Sequence, residues 1–145
     1  MNLAWAILIA AGIFSVLAVF RNLALLRYRL VPPPADKSGP GDLVSVIIPA
    51  RNEESNIRGC LESVLAQTYR PLEIIVVDDN STDGTGRILA EMAELHPELS
   101  VVQGEPLPPG WVGKNHALTQ GVARAHGQWL AFLDADTRMG PEAVG

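Results

Sequence analysis

With 145 residues, 48% of them hydrophobic, and a formal charge of −5, the chain has room for one domain and an appendage. Its acidity argues against nucleic acid as a main partner, because phosphate contacts need clustered Lys and Arg. The single cysteine, Cys60, excludes an intrachain disulfide and a cysteine-built zinc site.

Charge and hydropathy are unevenly spread. Residues 1–40 carry Arg21, Arg27, Arg29 and Lys37 against Asp36, a local +3, which leaves −8 on residues 41–145. Leu3 to Phe20 is an uncharged run of 18 residues. At ~1.5 Å per residue it nearly spans a hydrocarbon core of ~30 Å, and Asn22 to Leu26 extend it while Arg21 snorkels toward the headgroups. A cleaved signal peptide wants a basic start and a shorter apolar core; here Met1-Asn2 is uncharged and the basic residues follow the run. The expectation is a transmembrane helix over residues 1–30. The flanking arginines put the larger part of the chain on the cytoplasmic side of the inner membrane. Val31-Pro-Pro-Pro34 ends any helix, so residues 31–42 read as a Pro-rich linker.

From residue 43 onward the pattern alternates strand and helix. Leu43 to Pro49 is a β-branched run, followed by the loop Ala50-Arg-Asn-Glu-Glu54. Apolar residues at 57, 60, 61, 64 and 65 form a helical stripe that stops before Pro71. Leu72 to Val77 reads as a second buried strand, ending in Asp78-Asp79-Asn80. Ser81, Thr82 and Asp83 are candidate N-caps for a helix carrying Ile88, Leu89, Met92 and Leu95, closed by Pro97. Leu99 to Val102 is a third, short strand. A Pro- and Gly-rich loop from Gly104 to Gly113 leads into a helix expected to present Ala117, Leu118, Gly121, Val122 and Ala125 on one face. Trp129 to Leu133 reads as a buried strand and ends in Asp134-Ala-Asp136. Repeated β-α units of this spacing predict a Rossmann-like parallel α/β sheet flanked by helices.

Three strands end in polar signatures, and parallel topology gathers strand ends on one edge of a sheet, where ligands of open α/β folds bind. Asp134 and Asp136, two apart, can present carboxylates on one face. Such a pair suits a hard cation, Mg²⁺ or Mn²⁺, shared with substrate phosphates, although a bare Asp-x-Asp is equally an acidic turn. Asp78 and Asp79 can accept hydrogen bonds from a base N–H or ribose hydroxyls, or cap the next helix. Lys114, at a helix start where anions are favoured, can neutralise a diphosphate, or be an ordinary solvated lysine. Neither G-x-x-x-x-G-K-[ST] nor G-x-G-x-x-G occurs, which speaks against a P-loop enzyme or a dinucleotide-dependent dehydrogenase. His96, His116 and His126 show no metal-ligand pattern. Trp111 can stack on a sugar or pack under its loop.

Three segments, Val44-Ser-Val-Ile-Ile-Pro-Ala-Arg-Asn-Glu-Glu54, Glu73-Ile-Ile-Val-Val-Asp-Asp-Asn-Ser-Thr-Asp-Gly-Thr85 and Phe132-Leu-Asp-Ala-Asp136, together resemble family 2 glycosyltransferases of the GT-A fold. The helix from Lys114 to Ala125 is similar to the one preceding the metal-binding strand in that family. The loop Pro106 to Lys114, with the N-terminal apolar run, looks like hopanoid-biosynthesis-associated and carotenoid-type lipid glycosyltransferases. The resemblance implies that residues 43–145 form the nucleotide-sugar-binding half of a GT-A domain. Pro49, Ala50, Arg51 and Glu53 would line the nucleotide pocket, and Asp79 would bond a uracil-type base. Lys114 would lie near the base or diphosphate, and Asp134 near the ribose or donor sugar. Asp136 would ligate Mg²⁺ or Mn²⁺. Many members carry an aromatic residue where Arg51 stands.

The function this implies is metal-dependent transfer of a sugar from a nucleotide-diphosphate sugar, with a UDP-sugar favoured, to a lipid or polyisoprenoid acceptor. Family members have a later acidic residue that deprotonates the acceptor, so the catalytic base is expected beyond residue 145 and these residues alone are expected to be inactive. The competing class is a non-catalytic nucleotide-binding or membrane-interaction module. An acidic catalytic motif in the downstream reading frame separates the two. A sugar-phosphate nucleotidyltransferase would need an N-terminal glycine-rich activating loop, which is not found.

Overall fold

The computed structural model describes residues 41–144. The expected anchor over 1–30 and nearly all of the linker over 31–42 lie outside them. Among the described residues, no helix is long and apolar enough to cross a membrane.

Four strands alternate with three helices: β1 (Val44–Ala50), α1 (Ile57–Leu65), β2 (Leu72–Asp78), α2 (Thr85–Leu95), β3 (Leu99–Gln103), α3 (Gly113–Val122) and β4 (Trp129–Phe132). All strand pairs are parallel, in the order β3-β2-β1-β4. In register, Ala50 pairs with Asp78 and Ile47 with Phe132, so the carboxyl ends gather on one edge as the alternation predicts.

The two central strands are predominantly apolar, with Ser45 and Glu73 confined to their amino ends, because both of their faces are covered. Val46, Ile48, Ile74 and Val76 face α1 and α2, which bury Ile57, Cys60, Leu61, Val64, Leu89 and Met92 against them. Each fully buried aliphatic side chain contributes about 1.5–3 kcal/mol, so this layer carries most of the stability. On the opposite face, α3 presses on Ile47 and Val77.

Four sequence expectations are corrected here. Leu95, the last of the apolar residues expected along α2, is the final helical residue and is exposed. The helix α3 buries His116, Ala117 and Gly121, whereas Val122 is exposed and Ala125 lies past the helix end. The strand at 129–133 is not buried: β4 is the sheet edge, with Trp129 59% and Phe132 56% exposed. Of the candidate caps, Asp83 alone serves the start of α2, its Oδ1 accepting from the Thr85 N–H and hydroxyl. Ser81 and Thr82 bond instead to the loop after β1.

The amino end of the sheet is tied by a polar cluster. The Glu73 carboxylate accepts from the Ser45 hydroxyl and from the His126 and Gly127 N–H groups, with the His126 imidazole at 3.2 Å. Burial alone would push this carboxyl up. The hydrogen bonds from Ser45, His126 and Gly127 outweigh that and hold it below the usual glutamate range.

Candidate functional site

The strand order reverses between β1 and β4, because β1 is followed outward by β2 on one side and β4 on the other. Beyond the carboxyl ends of these strands opens a cleft of about 320 Å³, near the small end of the ~300–1,000 Å³ common for small-molecule sites. Pro49, Ala50, Arg51 and Glu53 line it from the end of β1, and Asp79 from the turn after β2. Lys114 enters from the first turn of α3, and Asp134 and Asp136 from the segment after β4. The eight residues singled out from the sequence therefore share one cleft.

At the β1–β2 end, Asp79 is 7% exposed and its carboxylate stands 3.5 Å from the Arg51 guanidinium, which is largely in solvent. The Asp79 N–H donates to the Ala50 carbonyl at 2.8 Å, so the two strand ends hold each other. Asp78, its neighbour, turns away: its Oδ1 accepts the Ser81 N–H, and its carbonyl accepts the Gly104 N–H. Asp78 thus closes the turn after β2 and does not cap α2, while Asp79 faces the cleft.

The two loops behind Asp79 are stitched together. Asn52 and Asn80 both stand in the left-handed region, with φ 56, which asparagine tolerates better than most residues. The Asn52 N–H donates to Ser81 Oγ, and Asn52 Oδ1 accepts the Thr82 N–H. The Glu53 N–H donates to Thr85 Oγ1, the Glu54 N–H to Asp83, and Glu54 Oε2 in turn accepts the Gly84 N–H at 2.7 Å. A carboxylate at the start of α2 also suits the helix dipole.

At the β4 end, Lys114 Nζ donates to Asp134 Oδ1 at 2.6 Å, both side chains being a little over half exposed. Asp136 is exposed, and among the described residues its carboxylate has no hydrogen-bond or ion-pair partner. Ala135 between them is buried. The Cys60 thiol of α1 donates to the Asp134 carbonyl at 3.7 Å beneath the site; burial pushes it up to about 11, against the lowering field of Arg138, so it is an inert prop. The chain after Asp136 is fastened by the buried Gln67, two residues past the end of α1, which donates to the Gly140 carbonyl and accepts the Val144 N–H.

Sequence reasoning missed the residues that shape the cleft by being small. Gly113 and Ala117 form its α3 wall, and a Cβ at Gly113 would stand 3.0 Å from Asp79 Oδ2. Trp111 is outside the lining, half exposed, with its ring edge-on to His116 at 5.6 Å. His96 and His126 lie elsewhere. Among the described residues no three His, Cys, Asp or Glu side chains cluster as a metal-binding group.

Among curated proteins, the chain is 36% identical over 138 residues to the probable glycosyltransferase YdaM of Bacillus subtilis, covering 94% of this chain and 32% of that one. It is 40% identical over 93 residues to 4,4'-diaponeurosporenoate glycosyltransferase of Staphylococcus aureus, covering 64% and 24%. Among solved structures, mannosyltransferase PcManGT from Pyrobaculum calidifontis, in complex with GDP-Man and Mn²⁺, matches with a TM-score of 0.62 at 32% identity, covering 93% of this chain and 39% of its own. S. aureus TarS 1-349 in complex with UDP matches with a TM-score of 0.58 at 32% identity, covering 68% and 29%. The fold is therefore GT-A-like. The chain spans only 13% to 36% of the length of such curated relatives. The sequence model described as glycosyl transferase family 2 runs over residues 45–145, through all four strands and every segment that lines the cleft, and the chain belongs to that family.

Proposed function

We propose that residues 43–145 are the donor-binding half of an enzyme that transfers a sugar from a nucleoside-diphosphate sugar, a UDP-sugar foremost, to a lipid hydroxyl. The observation that carries this reading is the convergence of Asp79, Lys114, Asp134 and Asp136 on one cleft at the reversal of strand order. The buried Asp79 carboxylate accepts only, which complements the N–H of a uracil ring. Lys114 and the free N–H groups at the start of α3 receive the diphosphate.

The chemistry of the acidic end fits Mg²⁺ or Mn²⁺. Asp136, with no hydrogen-bond or ion-pair partner among the described residues, would hold such an ion through a hard carboxylate oxygen, the kind of ligand these ions favour. When bound, the ion neutralises charge on the departing diphosphate. Lys114 adds a second positive charge there, and Asp134 orients the ribose or sugar. PcManGT and the glucosyl-3-phosphoglycerate synthase of Mycobacterium tuberculosis, both similar to this chain, hold Mn²⁺ with their nucleotides, which supports the ion.

The lipid acceptor is supported by the name of the diaponeurosporenoate enzyme and by the uncharged run Leu3 to Phe20, which would anchor the site at the cytoplasmic face of the inner membrane. A reporter fused after Gly145 should then behave as cytoplasmic; a periplasmic signal reverses the orientation.

The donor site is tested by calorimetric titration of UDP into the full chain in detergent, with and without Mn²⁺. Wild type should bind more tightly with the ion, and Asp136→Asn should lose that gain while keeping metal-free binding through Asp79. Wild-type binding indifferent to Mn²⁺, or an unchanged gain in the variant, sinks the assignment.

A further inference from the structure

The loop between β3 and α3 holds out apolar side chains that the cleft does not use. Leu107 is 48%, Trp111 46% and Val112 65% exposed, with prolines at 106, 108 and 109 among them. The ends of the loop are braced. The Gly104 N–H donates to the Asp78 carbonyl and the Glu105 N–H to Gln120 Oε1 of α3, and the Trp111 ring meets His116 of the same helix edge-on. The tip turns at Gly110, at φ 83, with nothing within 4 Å of where a Cβ would stand.

This loop is also poor in exposed backbone donors. Proline has no N–H, and the Trp111 N–H is given to the Pro108 carbonyl at 3.2 Å. Contact with hydrocarbon therefore leaves few backbone groups stranded without water. Residues 104–112 carry one charge, Glu105, at the root of the loop. Leu130 and Phe132 are exposed too, but on the edge strand β4, whose outer N–H and C=O groups suit another strand and not lipid.

We infer that the 104–112 loop is a bilayer-contact element: Leu107, Trp111 and Val112 enter the interfacial layer of a membrane and bring the cleft to the lipid surface. The inference rests on the membrane and lipid-acceptor reading above. A tryptophan among apolar neighbours suits that layer, and the next two residues, Gly113 and Lys114, already line the cleft. With no basic residue, the loop meets lipid through hydrocarbon contact and not through anionic head groups. The linker joins at the amino end of β1, the edge opposite this loop. Its twelve residues, 31–42, can reach up to ~40 Å. The length of β1 is only ~20 Å, so attachment there does not keep the loop from the membrane.

The experiment places the full chain in phosphatidylcholine vesicles with an NBD fluorophore on Val112→Cys or on Leu95→Cys. Cys60 is buried and stays unlabelled. Leu95 is the control, because it is exposed and apolar at the end of α2, on the opposite edge of the sheet. The label at position 112 should emit at shorter wavelength than the label at 95, and should lose emission when the acyl chains carry nitroxide. The label at 95 should do neither. Adding Leu107→Asp should return the label at 112 to its aqueous emission. UDP binding in detergent should stay unchanged, since Leu107 is outside the cleft lining.

Equal signals from the two labels overturn the inference. A label at 112 that is shifted but not quenched by lipid nitroxide also overturns it, and gives the loop a protein neighbour instead. Quenching that survives Leu107→Asp does the same, because the fluorophore itself would then be the inserting group. In all three cases the chain still holds to the vesicles and the membrane reading stands. Release of the unlabelled chain from the vesicles by high salt removes that reading and the loop inference together.

Discussion

Gly121 of α3 lies flush against Ile47 of β1: a Cβ built on the glycine would stand 2.5 Å from Ile47 Cγ2 and 3.3 Å from Val77 Cγ2. Ile47 is wholly buried and has nowhere to go. Exchanging a glycine for alanine in a helix interior gains about 1 kcal/mol from propensity, and Gly121, in the last turn of α3, stands to gain less. Overpacking a filled interface costs about 1–3 kcal/mol and should win here. Gly121→Ala is expected to lower the thermal midpoint by several degrees and to weaken UDP binding, because α3 carries Lys114. Gly140→Ala, at a position with open space, serves as the neutral control. A raised midpoint for Gly121→Ala would mean that α3 rides higher than described.

The Glu73 cluster sets an acid-side dependence of stability. Its folded carboxyl lies below the ordinary glutamate value of 4.5. The unfolded chain therefore takes up the proton first, so the stabilisation is complete above about 4.5 and is lost as pH falls through the folded value. Glu73→Gln should cost about 1–3 kcal/mol at pH 7, the worth of hydrogen bonds to a charged group. The gap between variant and wild type should narrow as the pH is lowered from 7 to about 3, below the ordinary glutamate value. Denaturant titrations at the two pH values check this, and a gap independent of pH would refute it.

Asp79 and Arg51 form a pair of unequal members. Asp79 is buried and points into the cleft, whereas Arg51 is largely solvated. Asp79→Asn should reduce uridine affinity about ten- to hundredfold, consistent with the loss of a charge-assisted hydrogen bond. Arg51→Ala should change it by no more than about threefold, as befits an exposed partner. Calorimetry with uridine separates the two, and the reverse ranking would move base recognition to the arginine.

All four strands were legible in the sequence; what composition left open was which of them lie at an edge. Val46–Pro49 and Ile74–Val77 are apolar runs inside β1 and β2, and α1 announces itself through Ile57, Cys60, Leu61 and Val64. β4 shows the limit: Trp-Leu-Ala-Phe is as apolar as β2, but composition does not say whether a neighbour covers it. On α3 the expected face of Ala117, Leu118, Gly121, Val122 and Ala125 holds at its small members Ala117 and Gly121, whereas Val122 is exposed and the buried His116 went unread. The site was readable because acidic and basic residues follow apolar runs abruptly at strand ends. Gly113, Ala117 and Ala135 were silent because they contribute by lacking bulk. The bonds from Asn52 to Ser81 and Thr82 span some thirty positions, beyond the reach of local pattern.

Those same bonds bear on how nucleotide preference could be re-engineered. The segments 51–54 and 81–85 exchange donors and acceptors at five residue pairs: Asn52 with Ser81 and Thr82, Glu53 with Thr85, and Glu54 with Asp83 and Gly84. Replacing either loop alone would strand backbone N–H groups on the other and loosen the wall that positions Asp79. The two behave as a single cassette. A graft that alters base selection has to carry both loops together, and substitutions in one will be tolerated only with matching changes in the other.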